Sequence, residues 1–562
     1  MRVAAMSALV ALGACSSPKS GPDGTVEPDP KGWTITIDMS GLDRFVLPAD
    51  AASWPVAGIA TASEGLASVA VGGGLVDVDG SGAFAGTVDV APGLTPVPIL
   101  ATDAAGHERK GDRTLLAAQF LADGAYNPHA AGLVLGDAVL AAMSDGIADY
   151  AADVDVAGEI LARDVLSQDD RCVTWPVSAN QGAPTATLVR DGGELWLRIR
   201  VPNLYVYFEG QCQGLLSTIP VAGEMGGTLD VWTRLSAKAP AAGACLTAFE
   251  HTPPEVEIAG WGFDVWGTSG PLQGWIVDLF SGNKSAEARA QLATEVGARA
   301  DTLLATKLEH VSVYDNTSAL ELLGKPVVLD LCVSGIASTG DALLAQIAAR
   351  ATGTGSREAP GAPQLEGLVV RAHEGELVLD ANVIGQLLYA AWRDDALVRG
   401  APDIDVGVLQ ILMPGLAEEF PDATTAQVAI DAELPPLVRA TPDGPGDLQI
   451  ELGDMMIELS VGGTRVLRFG TVLTLALELV PEDGALVPKV VDTQARVTLL
   501  DERYDGSDTA LEQAVQLQIG TAASALLAGG ASIALPALPG LGTPTDVTAD
   551  AGGRYLHLPL AP

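Results

Sequence analysis

Residues 274 to 311, "GWIVDLFSGNKSAEARAQLATEVGARADTLLATKLEHV", place a Trp- and Phe-bearing apolar run directly before a long amphipathic helix. Ser281 or Asn283 can cap its N-terminus, because a short side-chain oxygen there satisfies backbone N–H groups that have no partner within the helix. Leu292, Val296, Ala300, Leu303 or Leu304, Leu308 and Val311 recur at helical spacing and form one apolar stripe. A helix of up to about 29 residues, rising about 1.5 Å per residue, carries that stripe over roughly 40 Å. An element of that length needs an elongated apolar surface beside it.

The chain of 562 residues, at roughly 150 per domain, predicts about three or four packed units. Its 31 basic and 71 acidic residues give a net charge of −40, and the acids are spread along the chain. That balance excludes nucleic acid as a partner and tight electrostatic adhesion to anionic lipid, since both depend on clustered Lys and Arg.

The N-terminus "MRVAAMSALVALGACSS" has one Arg, a short apolar stretch and Leu12-Gly13-Ala14-Cys15. It resembles a bacterial lipoprotein signal, with residues 1–14 removed and the Cys15 thiol carrying lipid. Residues 15–32, rich in Pro, Gly and Ser, then read as a flexible tether. No acidic residue follows Cys15 directly, which by resemblance to known sorting rules implies the outer membrane, on the periplasmic or cell-surface side. In an exported chain Cys172, Cys212, Cys245 and Cys332 form an even set with three possible connectivities; Cys172 with Cys212 and Cys245 with Cys332 is the pairing expected. No CxxC or Cys/His cluster points to a metal, and no cofactor is expected. Beyond the signal no apolar run of about 18 residues occurs, so no helix is expected to span a bilayer.

Residues 33–117 read as short alternating strands with Gly and Asp-Gly turns, an all-β sandwich. They resemble bacterial Ig-like modules through "GAF" and "ATDAAG". "DVDGSG" at 77 to 82 suits a hairpin turn better than a calcium loop, whose twelfth position needs a bidentate acid and is here Val88. From residue 118 helices alternate with runs of strands. Val139, Met143 and Ile147 line one helical face, and "GELWLRIRVPNLYVYFEG" alternates Leu195, Leu197, Ile199 and Val201 against polar neighbours. Residues 351–366 read as a linker, after which the order recurs. Ile384, Leu388 and Trp392 stripe a helix, strands follow, and a helix capped at Ser507 or Asp508 runs into "ASIALPALPGLG". Each half also has a Pro-Pro pair opening a strand, at 251 to 260 and 433 to 444.

This order, given twice, resembles the bactericidal/permeability-increasing, lipopolysaccharide-binding and lipid-transfer family, the tubular lipid-binding fold. Its most specific points are the "GW" segment running into the long helix, "ILMPGLAEEFPDATTAQVAIDAELPPLV", and the terminal helix followed by "LPALPGLG". The resemblance covers roughly residues 120 to 562. It implies an α+β fold of two tubular modules, 118–350 and 367–562, each a twisted antiparallel sheet wrapped around a long helix, after the Ig-like sandwich. It also implies apolar slots for phospholipid or another acyl lipid. Candidate slot residues are Val139, Met143, Ile147, Trp275, Ile276, Leu303 and Leu304 in the first module, and Ile384, Leu387, Leu388, Trp392, Leu535 and Leu538 in the second; ordinary core packing competes for each. The chain departs from the family in its acidic character and in lacking a Cys within 281 to 311.

No catalytic signature accompanies the resemblance. There is no G-x-S-x-G elbow, no H-E-x-x-H, no phosphate or dinucleotide fingerprint, and the six histidines stand singly. The expectation is therefore a lipid-binding or lipid-carrying outer-membrane lipoprotein that is not an enzyme. Its rivals are a surface adhesion or scaffold lipoprotein whose Ig-like module binds a protein partner, and a lipid-ester hydrolase.

Overall fold

The computed structural model describes residues 32–39, 45–152, 154–168, 172–213, 218–237, 245–246, 249–266, 285–308, 315–339, 342–364, 372–482, 484–528, 532–534 and 542–561. Cys15, Trp275, Ile276, Leu535 and Leu538 lie outside them.

Long alternating strands set the architecture. In Glu194–Gln213 the inward positions Leu195, Leu197, Ile199 and Val201 are followed, after a register shift, by Leu204, Val206 and Phe208. The shift is accommodated by Asn203, whose φ of 52° suits a short polar side chain. This strand belongs to a seven-stranded sheet built from residues 167 to 266. A second curved sheet, from residues 399 to 534, is centred on Leu448–Val461, Thr464–Glu482 and Ala485–Glu502. Ahead of both, a three-stranded sheet and a six-stranded sheet, the latter completed by one later strand, share one core around Val56, Val69, Phe84, Val97, Ile99 and Leu115.

Between the curved sheets lies a central sheet drawn from distant parts of the chain. Its order is Asp315–Leu322, Lys325–Thr339, Ala342–Gly353, Asn127–Val134, Glu376–Asp380, Tyr555–Pro559 and Thr548–Ala549. Residues 351–366, expected as a linker, supply the end of Ala342–Gly353 and the strand Ala362–Gln364, which pairs with Glu108–Leu121.

Seven helices are found among the described residues: α1 (Asp137–Ala152), α2 (Val156–Leu161), α3 (Ser285–Leu308), α4 (Ala381–Arg393), α5 (Val406–Leu412), α6 (Pro414–Glu419) and α7 (Asp508–Ala528). The expected α+β fold of sheets wrapped around long helices is overturned. Among the described residues the structure is mostly β, 58% strand and 18% helix, and no long helix is wrapped by a sheet. Helix α3 packs chiefly along Phe249–His251 and Glu255–Trp266, while its Glu295 and Arg299 pair with Arg163 and Glu159. The reason is the width of its stripe: Leu292, Val296, Leu304 and Leu308 are buried, while most of the helix's other residues are exposed. Such a helix covers one line of a sheet and must leave its other sides in water.

Enclosure requires a surface that can be buried all round, and the short α4, apolar but for Asn382 and Gln386, has one. Every residue from Ala381 to Trp392 is buried, Asn382 and Gln386 included. Its N-cap, Asp380, is fully buried and accepts from Asn382 N–H at 2.9 Å. Asp380 Oδ2 also accepts from Asn127 Nδ2 at 2.9 Å and from Arg554 Nε and Nη2 at 3.1 and 2.9 Å. A buried carboxylate is tolerable only when its lone pairs are occupied and its charge is matched. Removing the cation by Arg554→Met should cost about 3–5 kcal/mol, read as a shift in the denaturant midpoint.

The N-terminal sheets dock on the second curved sheet through Glu108–Leu121. Arg109 pairs with Asp501 at 2.8 Å, Lys110 with Glu512 at 2.9 Å, and Asp112 with Arg496 and Thr498, each at 2.9 Å. Arg113, stacked on Phe45, lies 2.7 Å from both Glu433 and Asp454. Asp454 is buried in a β-bulge at φ 49°, and the Arg113 contact to its Oδ2 lacks hydrogen-bond alignment. Burial therefore outweighs the Arg113 charge and pushes the carboxyl up to about 7. Because the folded state holds this proton and the unfolded state releases it near pH 4, its contribution is complete in acid and falls as pH rises from about 4 to 7. Asp454→Asn keeps the shape and the left-handed backbone. It should flatten most of any loss of thermal midpoint between pH 5 and 8.

A cleft between helix α1 and an edge strand

Helix α1 turns two faces toward protein. Val139, Met143 and Ile147 point into the main core, Val139 buried and the other two half-buried. The adjacent face, Asp137, Leu140, Ala141, Ser144, Asp145 and Ala148, recurs at steps of three and four and borders a cleft of about 550 Å³. Pro184 and the strand Thr185–Asp191, as far as Arg190, form the opposite wall. Among the described residues that strand pairs on one side only, with Glu194–Gln213.

Ser144 joins the two walls. Its Oγ donates to Leu140 O at 2.7 Å and accepts from Leu188 N–H at 2.8 Å, so an outward-facing backbone donor of the edge strand is satisfied by the helix. Leu140 and Ala186 are buried at the base, and Leu188 is half-buried against the main core. Asp137, Asp145, Thr185 and Thr187 stand exposed at the rim, with Arg190 half-buried among them. The arrangement is an apolar trough with a polar lip. No histidine lines it: His107 pairs with Asp103 and His557 with Glu376, each at 2.8 Å, and His251 meets Thr252 O at 3.0 Å.

The remaining expected slot residues lie elsewhere. Leu303 is half-buried and Leu304 buried on α3; Ile384, Leu387, Leu388 and Trp392 are buried on α4, where Trp392 Nε1 donates to Ala432 O at 2.7 Å. None of them lines the cleft. The trough is instead built from Leu140, Ala141, Ser144, Ala148 and the wall at 184–190. Their one sequence signal is the alternation in "TATLVRD", with small residues at helical spacing opposite.

Disulfides join Cys172 to Cys212, which face each other on neighbouring strands, and Cys245 to Cys332, which ties residue 245 to the central sheet. Two such bridges mark a protein of an oxidising, non-cytoplasmic compartment. Among the described residues no group of three or more His, Cys, Asp or Glu is placed to hold a metal, and no helix is long and apolar enough to cross a membrane.

No family model and no curated protein matches the chain. Among solved structures, the crystal structure of a lipopolysaccharide binding protein is similar over 78% of this chain and 99% of its own. The two are 13% identical and superpose with a TM-score of 0.39.

Ser144→Ala leaves Leu188 N–H without its acceptor. The variant should lose about 1 kcal/mol of stability, measured by equilibrium denaturation.

Proposed function

We propose that the protein binds acyl lipid, holding it without turnover, and that it does so as an exported lipoprotein anchored through Cys15 at the outer membrane. The observation that carries the reading is the trough beside α1. Its volume falls within the range of small-molecule sites, and its base continues into the main core. An acyl chain needs only a dry, elongated surface, gaining about 0.8 kcal/mol per buried CH₂, while a head group stays at a wet rim. Asp137, Asp145, Thr185, Thr187 and Arg190 supply such a rim. A binding role is favoured over hydrolysis because the Ser144 hydroxyl is engaged both as donor and as acceptor, with no histidine beside it.

The test is to purify the full chain gently from membranes and to extract it for mass spectrometry. Wild type should carry acyl lipid, and Ala148→Trp, which fills the trough, should carry roughly tenfold less with unchanged circular dichroism. Wild type free of lipid, and refusing it on exchange, would overturn the reading. For the anchor, Cys15→Ala should release the protein from the membrane fraction; continued fractionation with membranes would count against lipidation.

A further inference from the structure

The outer face of the first curved sheet carries a second feature, independent of the trough. In its distal half the inward positions Val206, Phe208, Val221 and Met225 are buried, so their alternating neighbours face outward. Strand register lines these up in rows across four strands. Trp175 faces Glu209, which faces Ala222, which faces Trp266. In the next row Ser178, Tyr207, Glu224 and Asp264 stand side by side; in the third, Asn180, Tyr205, Gly226 and Gly262 do.

Aromatic rings and carboxylates are thereby interleaved on one surface. Tyr207 stacks with Trp266 at 6.1 Å between centroids, and Trp266 is 43% exposed. Tyr205 Oη donates to Glu224 at 2.6 Å and Tyr207 Oη to Glu209 at 3.3 Å. The strand segments that carry these carboxylates, residues 172–180, 205–213, 218–228 and 261–266, contain no Lys, Arg or His, and among the described residues no ion pair to Glu209, Glu224 or Asp264 is found. In the proximal half of the same sheet the acid is matched, with Arg198 Nε donating to Asp230 at 2.8 Å.

Electron-rich ring faces beside unneutralised carboxylates attract cations by two additive routes, charge and cation–π contact. Four strands at about 4.8 Å spacing make a row about 14 Å wide, too broad for one ammonium group and wide enough for several cations on an extended chain. Gly262, at the end of the third row, has open space where a side chain would stand, so an extended chain can approach the sheet closely there.

We propose that this face is a docking surface for a basic segment of a partner protein, one presenting two or more Lys or Arg side chains in extended conformation. The carboxylates Glu209, Glu224 and Asp264 take the charges, and Tyr207 and Trp266 take the cation–π contacts. Because the chain carries a charge of −40, the partner is also steered toward it at long range, and the association weakens as salt rises.

The experiment titrates the full chain in detergent with a ten-residue peptide of alternating Arg and Gly, followed by tryptophan fluorescence. Wild type should bind saturably and more weakly at higher NaCl. Y207A/W266A, with net charge untouched, should bind about tenfold more weakly, and E209Q/E224Q/D264N should lose at least as much. Neutralising three exposed acids elsewhere, E64Q/D77N/D443N, should leave affinity within about twofold. Should Y207A/W266A fold poorly by circular dichroism, W266A alone, at its half-exposed position, should still weaken binding at least threefold. Unchanged affinity in the aromatic variants, an equal loss in E64Q/D77N/D443N, or tighter binding of a neutral oligosaccharide than of the peptide would overturn the proposal.

Discussion

The buried carboxylate of Asp380 is the point on which the architecture closes. It ends one strand of the central sheet, caps the enclosed helix α4, and gathers Asn127 from the neighbouring strand and Arg554 from the loop entering the other. A charge at zero exposure persists only if every lone pair is used, so three separated pieces of chain are held to one geometry. The apolar length of α4 then has a fixed start, and the sheets around it are positioned by contact with Ile384, Leu387, Leu388 and Trp392. The helix packs on strands of the central sheet, on Ala362–Gln364 and on Leu437–Ala440 of the second curved sheet, within one continuous hydrophobic core.

Electrostatics elsewhere in the protein divides by location. Where Glu108–Leu121 meets the second curved sheet, acids and bases alternate and nearly every charge finds its opposite, except that Asp454 and Glu433 share Arg113. On the distal outer face of the first sheet the acids have no counterpart among the described residues. The net charge of −40 is therefore not uniform: it is neutralised where surfaces close within the chain and left open where the sheet faces outward.

What could be read from the residues followed the reach of each signal. Period-two alternation in "ELWLRIRV" named a strand with one buried face, and the stripe from Leu292 to Leu308 named a helix, because both patterns repeat within a few residues. What α3 lies against was not legible, since its stripe says how wide the contact is and nothing of what supplies it. The reading of α4 as one-faced missed its enclosure, because Asn382 and Gln386 look like a solvent face, and only the strands packed around the helix, drawn from residues 127–134 to 437–440, bury them. The α1 trough escaped notice for a related reason: its helical face of Leu140, Ala141, Ser144 and Ala148 is small and mixed, while the bulkier Val139, Met143 and Ile147 belong to the core. The aromatic and acidic rows join residues 13 to 44 positions apart on neighbouring strands through register, which no local pattern encodes.

The order of the central sheet also fixes when the protein can finish folding. Glu376–Asp380 pairs on one flank with residues 131–133 and on the other with Tyr555–Pro559, so its second edge stays open until the last few residues of that sheet are available. Until then Asp380 lacks Arg554 and α4 lacks a neutralised cap. A chain delivered N-terminus first thus passes the 174 residues from Asp380 to Arg554, about the last third of its length, with a buried-type carboxylate uncovered and a strand edge unpaired. Such non-local closure makes folding slow and leaves an aggregation-prone intermediate to be shielded on the way.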